Sequence, residues 1–356
     1  MSNEFDKAWA LFINKDNEGA KQVLYNAAQH TIDNQFKTKC LDLLCKICLM
    51  TQDNKVLKEC LLMSSDSRLD YFRMSVDFYE GNSEKAWDVL QGLGRHDRKV
   101  HGFYGVGLES LVKDRDWVNN LKINEIEKDL VVNIRSNKEK KYVILFSADS
   151  NYFKRFYKYS LYNIDTNPDA IFHYHIVNPD SEVIDIVNSY DNEVVNFSFE
   201  YVGDESLTKA YYASSRFLIA PKIMTIYQKP FFIFDIDSKL VGNLDNLFET
   251  GRWSREKLSL RVSPALELPW QKIVANAIYV PFNECGRTFL DRVARYLSLS
   301  FYLNRDRQLW WIDQNAMFFA YESFERIEYQ RWTGLINDYI MYPKFLEDKD
   351  KSMMNM

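Results

Sequence analysis

Two aspartates separated by one residue follow the most apolar short segment of the sequence. The run Phe231–Phe234 leads directly into Asp235 and Asp237. Two carboxylates at the end of a buried strand are costly unless a cation or hydrogen-bond donors satisfy them. Hard oxygen ligands suit Mg²⁺ or Mn²⁺, which would bridge the carboxylates to phosphate oxygens. The pair therefore predicts a divalent metal site, with two acidic residues in an ordinary loop as the alternative.

Other polar residues follow predicted strands or open predicted helices. The segment 147–152 (SADSNY) is well placed to hydrogen-bond a nucleotide base and ribose, although Asp149 would serve equally as a helix cap. Asp313 and Gln314 open a predicted helix, where Asp313 has the same alternative role as a cap. Asn276 is the polar residue of a predicted strand, VANAIYV. Each of these signals has a structural explanation when it is taken alone.

Four of the five cysteines lie within the first 60 residues, at Cys40, Cys45, Cys48 and Cys60. Four thiolates would suit zinc, but the sequence has no second CxxC pair of the kind found in zinc modules. The segment LDLLCKICLM is typical of a core helix, in which cysteine behaves as a small apolar residue. The spacing favours the core interpretation over a zinc site.

The elements that would position the polar groups begin near residue 142. Short apolar runs bounded by polar residues predict buried strands at 142–147, 171–177, 197–202 and 229–237. Helical patterns lie between the first two strands and between the last two. Strands alternating with helices predict an α/β fold with a mainly parallel sheet, whose ligands bind beyond the carboxyl ends of the strands.

The first third of the chain has a different pattern. Apolar residues recur at helical spacing, and the breaks between them are rich in Asn, Asp, Gly and Ser. Segments 16–24 and 81–90 resemble each other at a separation of about two 34-residue tetratricopeptide periods. We therefore predict a helical, tetratricopeptide-like domain over 1–125, a charged linker over 126–140 and an α/β domain over 141–356.

Composition excludes several classes of protein. A net charge of -5 argues against a broad nucleic-acid interface, which needs a basic surface. The sequence has no run of 18 apolar residues, and its acidic amino terminus does not resemble a secretory signal. Few cysteines agree with a reducing compartment. These features predict a cytoplasmic protein, and peripheral association with a membrane and homo-oligomerisation through the helical domain stay open.

The order of the motifs resembles glycosyltransferase family 8, whose members are retaining enzymes of the GT-A fold. The resemblance spans residues 142–320 and is carried in turn by SADSNY, YYASSRF, FIFDID, ANAIYV and DQNA. It implies an α/β GT-A fold with a mixed, mainly parallel sheet, preceded here by an all-α helical-repeat domain.

The resemblance also implies a role for each matched position. Contacts to the nucleotide sugar would come from Ala148, Asp149, Asn151, Tyr152, Arg216, Asn276 and Ala277. The metal ligands would be Asp235 and Asp237. Asp313 and Gln314 would form the catalytic pair, with Gln314 near the reacting anomeric carbon.

The sequence departs from the family pattern in the third metal ligand. That ligand is usually a histidine in a carboxyl-terminal HxxGxxKPW motif, whereas all five histidines here precede Asp235. Asn337 or Asp338 could supply an oxygen ligand instead, and Lys344 could reach the phosphates. Ile278 also stands where the family usually has a glycine.

The function expected from the resemblance is transfer of a hexose from a nucleotide diphosphate sugar, with UDP as the nucleotide, to a glycan or protein acceptor. Mn²⁺ or Mg²⁺ would assist, and the anomeric configuration would be retained. Two alternatives stay open. A phosphatase of the haloacid dehalogenase type would use Asp235 as its nucleophile, and a catalytically inactive binding module would keep the fold without turnover.

Overall fold

The computed structural model describes residues 2–94, 130–133, 139–203, 209–262, 272–303, 311–324, 329–331 and 340–341. The chain groups into two compact units, one helical and one built on a large β-sheet. Each unit has its own cluster of buried apolar side chains.

The helical unit consists of short helices joined by tight turns. Their bounds are α1 Ser2–Ile13, α2 Asn17–His30, α3 Asn34–Thr51, α4 Asn54–Leu62, α5 Asp70–Tyr79 and α6 Ser83–Gly94, with a 3₁₀ turn at Ser67–Leu69. Three helices begin behind an aspartate whose carboxylate accepts backbone N–H groups, namely Asp16, Asp33 and Asp53. Such caps satisfy donors that the first turn of a helix leaves unpaired. The breaks that the sequence marks with Asp and Asn are therefore helix starts.

The clustered cysteines lie in the core of this unit. Cys40, Cys45, Cys48 and Cys60 are all 0% exposed. Burial raises the pKa of the Cys40 thiol to about 11, so this side chain is protonated and apolar in character. Among the described residues, no group of three or more His, Cys, Asp or Glu side chains is arranged to hold a metal ion. These observations support the core interpretation.

The second unit carries the sheet. Its strands are β1 Leu130–Asn133, β2 Tyr142–Asp149, β3 Ala170–Val177, β4 Val195–Glu200, β5 Phe231–Phe234, β6 Lys239–Leu240, β7 Leu258–Val262, β8 Ile273–Val280, β9 Tyr329–Arg331 and β10 Ile340–Met341. Its helices are α7 Ser150–Thr166, α8 Ser181–Ser189, α9 Lys209–Tyr227, α10 Asn246–Glu249, α11 Glu284–Leu303 and α12 Ile312–Glu322.

Eight of these strands form one mixed sheet in the order β1-β4-β3-β2-β5-β8-β7-β9. The central strands β4, β3, β2 and β5 are parallel, while β8 runs antiparallel to both β5 and β7. A separate two-stranded pairing joins β6 to β10. The predicted α/β fold with a mixed, mainly parallel sheet, preceded by a helical region, is therefore confirmed.

Two sequence predictions differ from the structure in their boundaries. The strand expected over 229–237 ends at Phe234, and Asp235 begins a turn instead of extending the strand. The segment 126–140, expected to be a linker, contains β1, which pairs antiparallel with the edge of β4. A four-residue edge strand is too short to show a periodic pattern beside the charged run that follows it.

A chain of hydrogen bonds crosses the interior between the sheet and α9. It runs through Tyr227, His173, Ser198, His175, Glu200 and Tyr211. The two imidazoles are 0% exposed, and their nitrogen atoms lie 2.8–3.1 Å from the neighbouring oxygen atoms. Burial, and then the neighbouring His175, lower the pKa of His173 to about 3. Both histidines thus have structural hydrogen-bond partners.

Helices long and apolar enough to cross a membrane do not occur in the described ranges.

Candidate functional site

The direction of the strands brings the polar strand ends to one edge of the sheet. Because β2 to β5 are parallel, their carboxyl ends lie together. The antiparallel β8 presents its amino-terminal half at the same edge, since Phe234 of β5 pairs with Ala277. Val274 to Asn276 therefore lie beyond the end of β5, beside the aspartate pair.

A cavity of about 410 Å³ opens at this edge. That volume falls within the usual range for sites that bind small molecules. It is lined by Ser147, Ala148, Asp149, Tyr152, Lys209, Ala210, Tyr212, Ala213, Ser214, Arg216, Asp235, Ile236, Asp237, Val274, Ala275, Asn276, Trp311, Asp313 and Gln314. Side chains from β2, α7, α9, β8, α12 and the turn after β5 thus surround a single space.

The aspartate pair lies in a tight turn that follows β5. The turn is closed by the Ser238 N–H group, which donates to the Asp235 carbonyl oxygen at 3.0 Å. Ile236, between the two aspartates, is 7% exposed and belongs to the apolar core of this unit. Burying the middle side chain fixes the turn to the core while both carboxylates border the cavity.

Arg216 is the buried cation of the site, with 2% of its surface exposed. Its Nη2 atom lies 2.6 Å from Asp235 Oδ1 and 3.7 Å from Asp313 Oδ2, and donates to the Ala275 carbonyl oxygen at 3.2 Å. One guanidinium thus connects the turn after β5, β8 and the start of α12. A buried charge of this kind needs such partners to offset its desolvation.

Ser147, which is 4% exposed, fixes the helix that carries this arginine. Its hydroxyl accepts from the Arg216 backbone N–H group at 3.0 Å and donates to the Tyr212 carbonyl oxygen at 3.1 Å. The end of β2 is therefore hydrogen-bonded directly to the turn of α9 that enters the cavity. The sequence pattern includes Ser147 in the segment 147–152 but predicts no separate role for it, because a serine near a strand end has many ordinary roles.

The carboxylates of the site crowd one another. Burial, followed by the charge of Asp235, raises the pKa of Asp237 to about 6. Burial also raises the pKa of Asp313, and Asp235 adds to that effect while Arg216 opposes it. Excess negative charge in a partly buried cavity suits a divalent cation, so the donor set of Asp235 and Asp237 fits Mg²⁺ or Mn²⁺. The other ligands would have to come from outside this pair.

Two buried polar atoms beside the cavity have no hydrogen-bond partner in the described part of the chain, Asn276 Oδ1 and Arg216 Nε. One is an acceptor and the other a donor. Unpaired buried polar atoms cost stability and are usually explained by function or by a missing partner. A ligand with hydroxyl groups would offer both the donor and the acceptor that these atoms lack.

Trp311 borders the cavity in an unusual backbone conformation. Its φ is 66°, in the left-handed region, and 46% of its surface is exposed. A bulky residue with positive φ is strained, and such residues cluster at functional sites. Trp311 is not among the positions chosen from the sequence. Its place two residues before Asp313 could have marked it as a residue of the site.

Most of the positions chosen from the sequence lie together around this cavity. They are Ala148, Asp149, Tyr152, Arg216, Asp235, Asp237, Asn276, Asp313 and Gln314. Asp149 is also the cap of α7, because its carboxylate accepts the Tyr152 N–H group at 2.7 Å. Asp313 instead lies in the first turn of α12, and Trp311 occupies the cap position.

Two chosen positions do not border the cavity. Asn151 is exposed on α7, and Ala277 is 0% exposed within the sheet, where it pairs with Phe234. Asn337, Asp338 and Lys344 lie outside the described residues. Lys209 and Tyr212, which sequence reasoning did not choose, border the cavity from the first turn of α9.

No family model matches the chain, and no curated protein sequence matches it. Solved structures that resemble it include the galactosyltransferase LgtC in complex with donor and acceptor sugar analogues, at 14% identity, a TM-score of 0.33, and coverage of 46% of this chain and 69% of that one. The glycosyltransferase GlyE from Streptococcus pneumoniae TIGR4 shows 13% identity and a TM-score of 0.33, with coverage of 50% and 42%. Mouse xyloside xylosyltransferase 1 shows 10% identity and a TM-score of 0.31, with coverage of 51% and 81%.

Proposed function

We propose that this chain is a metal-dependent glycosyltransferase that takes a hexose from a nucleotide diphosphate sugar, with UDP as the nucleotide, and retains the anomeric configuration. The proposal rests mainly on one observation. Asp235 and Asp313 lie within 4 Å of the buried guanidinium of Arg216, and Asp237 borders the same cavity on the carboxyl edge of the sheet. A glycan or a protein would be the acceptor.

The position of each residue in the cavity indicates its proposed role. Asp149 and Tyr152, at the end of β2 and the start of α7, would contact the nucleoside. Asp235 and Asp237 would hold Mn²⁺ or Mg²⁺. The cation, when bound, supplies Lewis-acid neutralisation of the charge on the departing nucleotide diphosphate.

The remaining residues would position the sugar. Arg216 would donate from its unpaired Nε to a sugar or phosphate oxygen, and Asn276 would accept from a sugar hydroxyl through its unpaired Oδ1. Gln314 would lie against the anomeric centre and orient it, because a neutral amide is a poor nucleophile. Fixed dipoles of this kind act where charge develops during the reaction.

The phosphatase alternative is less well supported by the geometry. Asp235 Oδ1 lies 2.6 Å from the Arg216 guanidinium. A carboxylate engaged in a close charged hydrogen bond is a weaker nucleophile than a free one. In addition, phosphatases of this type carry the nucleophile after the first strand of the domain. Asp235 instead follows β5, the last of the four parallel strands in chain order.

Titration calorimetry of UDP with the full chain tests the proposal, with and without Mn²⁺. We expect Mn²⁺ to tighten UDP binding at least about tenfold, and Asp237→Asn to remove that gain. Asp169→Asn is the matched control, because Asp169 is a partly exposed carboxylate at the amino-terminal edge of β3, paired with Lys141 at 3.1 Å. Binding of UDP that ignores Mn²⁺ would contradict the metal site, and lack of any UDP binding would contradict the proposed donor.

A further inference from the structure

Two buried asparagines lie at the carboxyl-terminal end of α7, far along the helix from the cavity. Asn163 is 1% exposed and lies within the last turn, while Asn167 is 0% exposed and follows the helix directly. Buried amides need hydrogen-bond partners. Their partners are mainly backbone atoms of one segment, residues 238–244, which comes directly after the aspartate turn.

Asn163 holds the start of this segment with both ends of its amide. Its Oδ1 accepts the Leu240 N–H group at 2.7 Å, and its Nδ2 donates to the Ser238 carbonyl oxygen at 3.3 Å. One side chain thereby imitates the pairing that a neighbouring strand would give. Ser238 also closes the turn by donating its N–H group to Asp235. Asn163 therefore anchors the last residue of the turn that carries both aspartates.

Asn167 repeats the same contacts four residues further along both segments. Its Oδ1 accepts the Leu244 N–H group at 2.8 Å, and its Nδ2 lies 3.4 Å from the Gly242 carbonyl oxygen. Tyr142 adds a hydroxyl bond to the same Oδ1 at 3.3 Å. The Asn167 Nδ2 atom also lies 3.4 Å from the Asn163 carbonyl oxygen. The two asparagines thus hold the segment in the same way, but only the attachment of Asn163 adjoins the aspartate turn.

We propose that Asn163 is a positioning residue that fixes the Asp237 carboxylate for a divalent cation, and this inference rests on the proposed function. Asn163 contacts neither cation nor substrate, and acts through Ser238, the neighbour of Asp237. The other end of the same helix contributes Asp149 and Tyr152 to the cavity. One helix therefore sets both the nucleoside end and the metal end of the site.

The chain supplies its own matched control for this inference. Asn163→Leu and Asn167→Leu each replace a buried amide by an apolar side chain of similar size, and each leaves backbone atoms of segment 238–244 unpaired. Both should lower Tm, because unpaired buried polar groups cost stability. Only Asn163→Leu should change metal affinity, because only that change releases the residue next to Asp237.

The test measures Mn²⁺ binding to full-length protein by electron paramagnetic resonance, with saturating UDP and well below the Tm of each variant. We expect Asn163→Leu to raise the Kd for Mn²⁺ about tenfold or more, the range seen when groups supporting a metal ligand are removed. We expect Asn167→Leu to leave that Kd unchanged. With a UDP sugar and subsaturating Mn²⁺, Asn163→Leu should lower kcat/KM, and this loss should shrink as the Mn²⁺ concentration is raised.

If the leucine variants fail to fold, Asn163→Ala and Asn167→Ala replace them, since the smaller side chain leaves room for a water molecule. Equal metal affinity in the two variants, alongside equal losses of Tm, would overturn the positioning role and leave the metal site intact. If wild-type protein binds no Mn²⁺ in the presence of UDP, the metal site itself is wrong, and the positioning role is overturned with it.

Discussion

Gln314 borders the cavity from the first turn of α12, next to Asp313, whose Oδ1 accepts the Gln314 N–H group at 2.9 Å. That contact holds the backbone and leaves the amide side chain able to orient a substrate. We expect Gln314→Ala to lower kcat about 100-fold, the usual loss when a group that stabilises the transition state is removed. UDP affinity measured by calorimetry should not change. Gln22→Ala, on helix α2, is the control, and a drop in UDP affinity without a drop in kcat would refute this role.

His173 gives a prediction on stability that is independent of catalysis. Its pKa is about 3 in the folded protein, compared with 6.5 for an unperturbed histidine. Between these values the unfolded chain binds more protons, so stability is fully present above pH 6.5 and is lost as pH falls towards 3. The contribution is about 1.4 kcal/mol for each pH unit inside that window.

Chemical denaturation at several pH values tests this expectation. Tyr227, Ser198 and His175 surround His173, so the comparison must isolate one group. We expect His173→Gln to be less stable than wild type at pH 7 but to lose less free energy of unfolding between pH 6.5 and pH 4. His30→Gln, which changes an exposed histidine, should follow the wild-type curve. Parallel curves for wild type and His173→Gln would show that folding does not lower the pKa of His173.

At the scale of elements, the start of α11 depends on a close approach between backbone atoms. A Cβ atom built on Gly286 would lie 2.0 Å from the Pro281 carbonyl oxygen and 3.0 Å from Val280 Cγ1. We expect Gly286→Ala to destabilise the protein by at least about 2 kcal/mol, because the turn from β8 into α11 would have to open. Thermal or urea unfolding measures the change.

Gly92 provides the matched control within a helix. A Cβ atom there would meet nothing within 4 Å. Gly92→Ala should therefore stabilise α6 by about 0.5–1 kcal/mol, because alanine loses less backbone entropy than glycine on folding. If both alanine variants were stabilised, the tight approach at Pro281 would be refuted.

The elements also show which parts of the fold could be predicted from sequence. β2 and β3 were predicted to within two residues, because each is a continuous apolar run buried on both faces. The edge strand β1 was missed because four residues carry too little pattern. The antiparallel direction of β8 was not predicted either, because a strand's own sequence does not record the direction of its neighbours.

For the candidate site, local sequence patterns could identify residues, whereas contacts between distant parts of the chain could not be predicted. Asp235 and Asp237 could be chosen because two carboxylates directly after a buried apolar strand are unusual, whereas Asp313 was chosen through the family resemblance. Ser147 could not, because its role depends on a contact with Arg216 that lies 69 residues away along the chain. Asn163 was missed for the same reason, since an asparagine on a helix has no visible partner until segment 238–244 returns to it.

At the scale of the whole molecule, each unit has a core of its own, and the cavity lies within the sheet unit. Calorimetry of the full chain should therefore show two unfolding transitions. UDP with Mn²⁺ should raise the Tm of one of them, because a ligand stabilises the unit that it binds. Leu44→Ala, which removes a side chain 0% exposed in the helical core, should lower the other. One transition that responds to both changes would contradict this expectation.

Because β2 to β5 are parallel, the two ends of these strands can be used for different purposes in protein engineering. Substitutions that are meant to alter substrate choice belong at the carboxyl ends of these strands, where the cavity lies. The loop 190–194 joins α8 to β4 at the opposite edge, and Asp191 and Glu193 are exposed there. A fluorescent reporter inserted in that loop would be separated from the chemistry by the length of a strand. The same sheet can thus accept a label at one edge while its specificity is evolved at the other.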